Sequence, residues 1–147
     1  MYTACLTRIN ARNEGDAREW SFCAYMGQER TMHDSKAYDK DSDCCVGDMH
    51  YSVKSSAFSL MSGSLCEGLT DFDDIWNLYE RKTHSNRVVY IDTNYTAYIM
   101  DLSEFKRFVY AFCKLEKESE KNGGAMKIRC RKESGKMLKW LADMAAA

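Results

Sequence analysis

The stretch Asp43-Cys-Cys-Val-Gly-Asp-Met-His-Tyr-Ser-Val-Lys54 contains a glycine–aspartate pair between two short runs of strand-forming residues. Such a pair is typical of the two-residue turn of a β-hairpin, because glycine readily adopts the positive φ angle that this turn requires. We therefore predict two antiparallel strands, Cys44–Val46 and Met49–Ser55, joined at Gly47-Asp48.

The register of this hairpin determines which side chains meet. With a two-residue turn Val46 pairs with Met49, so Asp43 lies directly opposite Ser52. Because side chains alternate along a strand, Ser52 and Lys54 share one face, and Asp43 joins them across the ladder. The pattern thus predicts a carboxylate and an ammonium group on one rigid surface. The alternative is a surface salt bridge between Asp43 and Lys54, which stabilises a protein by only ~0.2–1 kcal/mol.

The sequence on either side of the hairpin predicts alternating helices and strands. Residues that cap helix N-termini precede four amphipathic stretches, and the third predicted helix runs to about Lys121. These helices are expected to start near Asn13, Thr70, Ser103 and Ser134. Further strands are predicted at Arg87–Asp92, Thr96–Met100 and Met126–Arg131. We therefore expect a single domain over residues 1–147 of mixed α/β (α+β) class, with a central mixed sheet flanked by helices.

Composition limits how this chain can bind nucleic acid. The 21 basic and 22 acidic residues nearly cancel, which excludes capture of DNA by bulk charge and leaves a local basic patch. One cluster has this character and comprises Lys127, Arg129, Arg131, Lys132 and Lys136. Strand alternation places the first three on one face, which suits contacts with a phosphate backbone. A solvated strand edge and helix face is the alternative.

The seven cysteines are an odd number, and Met1–Arg12 lacks the long apolar core of a secretory signal. Without a long apolar run for a membrane span either, we expect reduced thiols in a cytoplasmic protein. A zinc site is disfavoured for Cys44, Cys45, His50 and Cys66. Paired C-x-x-C spacing is missing, and adjacent cysteines point to opposite faces of a strand. Buried free thiols are the preferred interpretation.

Hydrolysis of a phosphodiester needs a hard divalent cation held by oxygen ligands, and a cationic group near the attacking water. Asp43 and Lys54 supply part of that set. With the Ser52-Val53-Lys54 tripeptide and a preceding helix that carries Glu19, they resemble the active-site signature of the PD-(D/E)XK nuclease superfamily. The resemblance covers roughly residues 14–67 and implies a restriction-endonuclease-like core.

The sequence departs from that signature at Ser52, where the superfamily usually has Glu or Asp. A subset of its restriction enzymes also reads Ser-Val-Lys and takes the missing carboxylate from a glutamate farther along the chain. Glu67 is close to that spacing, and Glu19 is the other candidate. The resemblance thus assigns metal binding to Asp43 and Glu67. It assigns activation of water to Lys54, and to Ser52 a hydrogen bond to metal-bound water.

Two classes of function follow from these residues. The resemblance implies a small DNA endonuclease of bacterial or phage type, dependent on Mg²⁺ or Mn²⁺, and related enzymes often pair as homodimers. The alternative is a non-catalytic interaction protein, either a degenerate nuclease fold that binds nucleic acid or a small phage-type inhibitor that binds another protein. The near-neutral charge and Ser52 favour the alternative, whereas the geometry of Asp43 and Lys54 favours the nuclease.

Overall fold

The computed structural model describes residues 1–28, 43–61, 68–117 and 125–147. The helices in these ranges are α1 (Glu14–Tyr25), α2 (Phe72–Lys82), α3 (Leu102–Phe112) and α4 (Gly135–Ala146). The strands are β1 (Tyr2–Cys5), β2 (Cys44–Val46), β3 (Met49–Ser55), β4 (Phe58–Leu60), β5 (Arg87–Ile91), β6 (Thr96–Asp101), β7 (Cys113–Lys117) and β8 (Met126–Cys130). The predicted mixed α/β class is confirmed. No helix within these ranges is long and apolar enough to cross a membrane.

The described strands form two sheets. Five of them make a mixed sheet in the order β1-β6-β5-β3-β2, and three make an antiparallel sheet in the order β4-β8-β7. In the mixed sheet β3 and β5 are parallel, whereas the other neighbouring strands are antiparallel. The parallel pair has α2 in its connection, as a crossover between parallel strands requires. The predicted central mixed sheet is therefore confirmed, and the second sheet is an addition to it.

The hairpin of β2 and β3 has the predicted register. Gly47 in the turn has a φ of +58°, and Val46 pairs with Met49. One residue before β2, the backbone N–H of Asp43 donates to the carbonyl of Tyr51 at 2.9 Å. Asp43 is therefore held beside β3 although β2 itself begins one residue later.

The mixed sheet is covered on both faces, because consecutive residues of β5 point to opposite sides. Val89 and Ile91 belong to one buried cluster with Phe22 of α1. Tyr90 belongs to a larger buried cluster on the opposite side, together with Trp76 of α2. Burial of each such side chain contributes ~1.5–3 kcal/mol, so these two clusters fix α1 and α2 against the sheet.

The third helix is shorter than predicted, because its expected C-terminal half is a strand. α3 ends at Phe112, and β7 follows directly. Leu115 matches the apolar spacing of a helix, but it fits the alternation of a strand equally well, and pairing with β8 decides between them. The N-cap is Asp101 rather than Ser103, and Asp101 forms a reciprocal capping box with Glu104. The prediction of one long helix here is wrong.

Two short strands have no counterpart in the sequence predictions. β1 exists through its pairing with β6, and β4 through its pairing with β8. Segments of three or four residues are too short to show a clear alternation of apolar and polar side chains. Their conformation therefore depends on partners that are distant in the sequence.

Candidate functional site

A polar cleft of about 390 Å³ opens at the edge of the mixed sheet, beside the end of β3 that β2 leaves uncovered. Its lining residues are Gly15, Asp16, Glu19, Asp43, Val53, Lys54, Ser55 and Phe58. The cleft therefore brings three predicted site residues together, namely Asp43, Lys54 and Glu19. It also includes Asp16, to which the sequence patterns gave no role in a functional site.

Asp43 has a structural role at the edge of β3. Its Oδ2 atom accepts a hydrogen bond from the backbone N–H of Val53 at 2.8 Å. This side chain thus pairs a strand N–H that would otherwise lack a partner beyond the end of β2. The other carboxylate oxygen accepts no hydrogen bond from the described residues, so it is the atom through which Asp43 could contact a cation.

Lys54 is partly buried at the same place. Burial lowers the pKa of its ammonium group, and the nearby Asp43 carboxylate opposes that shift. The Nζ atom lies 5.8 Å from the ring centroid of Phe58. Within the described ranges Lys54 forms no salt bridge, so the alternative of a direct Asp43–Lys54 surface pair is wrong. A desolvated lysine without an ion pair is more typical of a functional site than of a solvated surface.

Ser52 lies on β3 opposite Val88 of β5, and Lys54 lies opposite Tyr90. Val88 and Tyr90 belong to the same buried cluster, which places Ser52 and Lys54 on one face of the sheet. Ser52 is half-buried and does not line the cleft. It therefore has the predicted register but stands one strand position away from the cleft wall.

Helix α1 supplies the other wall of the cleft. Asn13 caps this helix by accepting a hydrogen bond from the N–H of Asp16 at 2.8 Å, and Phe22 packs edge-on against Tyr51 with ring centroids 5.3 Å apart. These contacts hold the first turns of α1 over the end of β3. Glu19 follows Asp16 by three residues, and positions three apart lie on the same helix face. That spacing is the sequence signal that could have identified Asp16.

The carboxylate of Asp16 forms an ion pair with Arg12, which lies just before the N-cap of this helix. Its charge is thus partly balanced before any ligand binds. Glu19 is half-buried at the cleft wall. The resemblance gives a role in the site to Glu19 and not to Asp16, so Glu19 is the carboxylate of this helix that we keep as a candidate for binding a cation.

Tyr79 of α2 lies on the face of the sheet that is opposite to α1. Its side chain is only 8% exposed and packs against Trp76, with ring centroids 5.3 Å apart. Burial, with a smaller contribution from the charge of Asp43, raises the pKa of Tyr79 to about 12. The charge of Asp43 thus acts on a residue of α2 to which sequence reasoning gave no role at the site.

The ligands for a divalent cation are only partly present in the described residues. Within them, no group of three or more His, Cys, Asp or Glu side chains could hold a metal ion. Mg²⁺ often uses only one or two protein carboxylates, with water and substrate phosphates completing its octahedron. The hard oxygen donors of Asp43 and Glu19 fit that requirement in kind. Glu67 lies outside the described residues, so its assignment as a ligand stays a prediction.

The cysteines and histidine of the hairpin have other contacts. The Cys44 thiol lies 3.3 Å from Oε1 of Gln28, and the sulfur of Cys45 lies 3.9 Å from Nε2 of His50. Cys66 lies outside the described residues.

The predicted basic residues do not line the cleft, and they lie on β8, directly after it and at the start of α4. Arg131 lies 3.3 Å from a carboxylate oxygen of Glu116, and Arg129 donates to Oγ of Ser59 at 3.1 Å. The charge of this strand is therefore partly offset by its neighbour β7. Lys132 and Lys136 are exposed, so they extend the positive surface beyond β8.

Comparisons with known proteins do not assign this chain to a family. The chemistry of the cleft must therefore be argued from the side chains of this chain and from the signature in its sequence. No protein-family model, curated protein or solved structure matches the chain.

Proposed function

We propose that this protein is a small metal-dependent deoxyribonuclease that hydrolyses phosphodiester bonds at the cleft beside β3. One observation carries the proposal: Asp43, just before β2, and Lys54 of β3 line the same polar cleft as Glu19 from the preceding helix. These are the residue types that the nuclease signature requires, and they come together from three separate elements. Such a set of side chains around a desolvated lysine is more typical of a functional site than of an ordinary protein surface.

Lys54 is the residue we assign to the attacking water. Its pKa is lowered by burial, so its ammonium group gives up a proton more readily than that of a solvated lysine. In its charged form it also stabilises the negative charge that develops on the phosphate. Both roles need the side chain to stand at the cleft wall, which it does.

Asp43 would hold the cation through its remaining oxygen, with Glu19 as the second carboxylate. A bound Mg²⁺ or Mn²⁺ supplies positive charge beside the scissile phosphate and lowers the pKa of coordinated water. The bond from Val53 to Oδ2 fixes the Asp43 side chain, so the other oxygen does not have to be immobilised when a ligand binds. Glu67 would take the place of Glu19 if its segment reaches the cleft.

DNA is the substrate that the nuclease signature implies, and the basic strand β8 is the surface we assign to its backbone. The chain has a formal net charge of −1, so binding would depend on such a local patch and would weaken as salt concentration rises. A homodimer, as in many enzymes of the superfamily that this chain resembles, would double this basic surface.

The test is cleavage of supercoiled plasmid DNA with Mg²⁺ or Mn²⁺ by the wild type and by Lys54→Ala and Asp43→Asn variants. We expect each variant to lose activity by ~10²–10³-fold, the usual effect of removing one charge-stabilising group. Lys82→Ala, which removes an exposed lysine from α2, is the matched control and should cleave like the wild type. Wild-type activity in both site variants, or none in the wild type with either metal, would refute the proposal.

The second candidate is a protein of the same fold that binds nucleic acid or another protein without cutting. Ser52 in place of a carboxylate, and the lack of a three-ligand metal group in the described residues, favour it. A gel-shift measurement separates the two functions. Binding of the same DNA with no cleavage would support the interaction protein.

A further inference from the structure

Two cysteines lie directly opposite each other in the three-stranded sheet. Cys113 begins β7, and its partner in the antiparallel register with β8 is Cys130. Both thiols are free, and the residues are 6% and 0% exposed, respectively. They lie in the large apolar cluster, next to the aromatic side chains of α3.

The register places this pair within the reach of a disulfide bond. Directly opposed residues of an antiparallel pair have Cα atoms ~4.5–5.5 Å apart, and disulfides span Cα separations of ~4.4–6.8 Å. Cys113 and Cys130 can therefore be joined without separating β7 from β8. Two other buried thiols are engaged elsewhere, because Cys23 contacts the carbonyl of Asp43 and Cys44 contacts Gln28.

The two thiols also differ in acidity. The hydrogen bond with Cys130, followed by burial, raises the pKa of the Cys113 thiol. The same hydrogen bond lowers the pKa of Cys130. Both shifts arise because the two sulfur atoms lie close together, which is what a disulfide bond between them requires.

A route to the pair exists from the surface. Cys113 lines an open cleft of about 440 Å³ between α2, α3 and β7. Lys114 and Asp73 line the same cleft with one charge of each sign, and the exposed ammonium group of Lys114 can contact a carboxylate of an anionic oxidant. A small disulfide can thus approach Cys113 while Cys130 stays behind it.

We propose that Cys113 and Cys130 form a thiol-oxidation site that closes to an intrachain disulfide when a small anionic disulfide such as oxidised glutathione is present. In the first step the minor thiolate form of Cys113, which is the sulfur that lines the cleft, displaces one glutathione thiolate, which takes up a proton, and a mixed disulfide forms. Cys130 then attacks the Cys113 sulfur, the second glutathione leaves as a thiol, and the Cys113–Cys130 bond is formed. The protein loses two electrons and two protons, and one oxidised glutathione becomes two reduced molecules. This proposal is independent of the nuclease function.

The experiment uses the full chain, incubated with oxidised glutathione, quenched with a maleimide under denaturing conditions and digested with trypsin. We expect loss of two of the seven thiols and a disulfide-linked product that joins Phe108–Lys114 to the peptide containing Cys130. Dithiothreitol should reverse both changes. The control Cys45→Ser, which removes a thiol from the hairpin, should form the same product, whereas Cys130→Ser should keep glutathione attached to Cys113.

Mapping of the disulfide in the wild type tests the proposal even if a variant folds poorly. Maleimide on both Cys113 and Cys130, at an oxidant concentration that has oxidised other cysteines, would overturn the proposal. A lasting glutathione adduct on Cys113 in the wild type would overturn it as well, because it would mean that Cys130 does not reach the mixed disulfide.

Discussion

Replacing Asp43 in two ways should separate its structural role from its chemical role. Asp43 accepts a hydrogen bond from the N–H of Val53 at 2.8 Å, and Val53 is half-buried. Asparagine keeps an oxygen acceptor for this N–H but removes the charge, whereas alanine removes both. A hydrogen bond to a charged group contributes ~1.5–3 kcal/mol and one to a neutral group ~0.5–1.5 kcal/mol. Asp43→Asn should thus cost ~1 kcal/mol and Asp43→Ala ~2–3 kcal/mol.

Thermal unfolding followed by circular dichroism measures this difference. For a chain of this length ~1 kcal/mol corresponds to roughly 2–4 °C in the unfolding midpoint, so Asp43→Ala should melt at least ~2–4 °C below Asp43→Asn. Plasmid cleavage should be lost equally in both variants, because only the charged carboxylate binds the cation. If the two variants melt at the same temperature, the bond to Val53 does not hold the end of β3 and the structural part of the reasoning is wrong.

Three further predictions concern the cleft and the basic strand. Burial lowers the pKa of Lys54, so the unfolded chain binds that proton more tightly than the folded chain does. Folding stability, measured by urea unfolding, should therefore rise with pH between the lowered pKa of the folded state and the usual ~10.4 of the unfolded state, and Lys54→Met should lack this rise. Glu19→Gln should raise the Mn²⁺ concentration for half-maximal cleavage ~10-fold or more, whereas Asp16→Asn, whose carboxylate already pairs with Arg12, should change it little. Joint replacement of Arg129 and Arg131 by glutamine should reduce the slope of log binding constant against log salt by ~2, measured by fluorescence anisotropy, and an unchanged slope would remove β8 from the DNA interface.

The hairpin could be predicted from the sequence because its determinants are local. The Gly47-Asp48 turn sets the pairing, and the pairing sets the position of Asp43 relative to β3. Nothing distant is needed for that inference. The same holds for the start of α1, where Asn13 and Asp16 are three residues apart and form the capping bond.

The sequence predictions failed where pairing with a segment distant in the sequence determines the secondary structure. The spacing of apolar residues from α3 into β7 fits a helix, and only pairing with β8 turns the segment into a strand. Contacts across the cleft also depend on residues that are distant in the sequence. The approach of Glu19 to Lys54 depends on the packing of Phe22 against Tyr51, and no periodicity in the sequence encodes that contact.

The position of the cleft follows from the unequal lengths of β2 and β3. β2 has three residues and β3 has seven, so among the described residues the last part of β3 has no strand partner on that side of the sheet. An open edge exposes backbone N–H groups, and Asp43 pairs one of them while it presents a carboxylate to the cleft. Because β3 and β5 are parallel, this edge is also at their carboxyl ends, where open α/β sheets usually bind ligands. Extending β2 by two strand residues in place of Asp43 should therefore close the cleft, stabilise the sheet and abolish cleavage together.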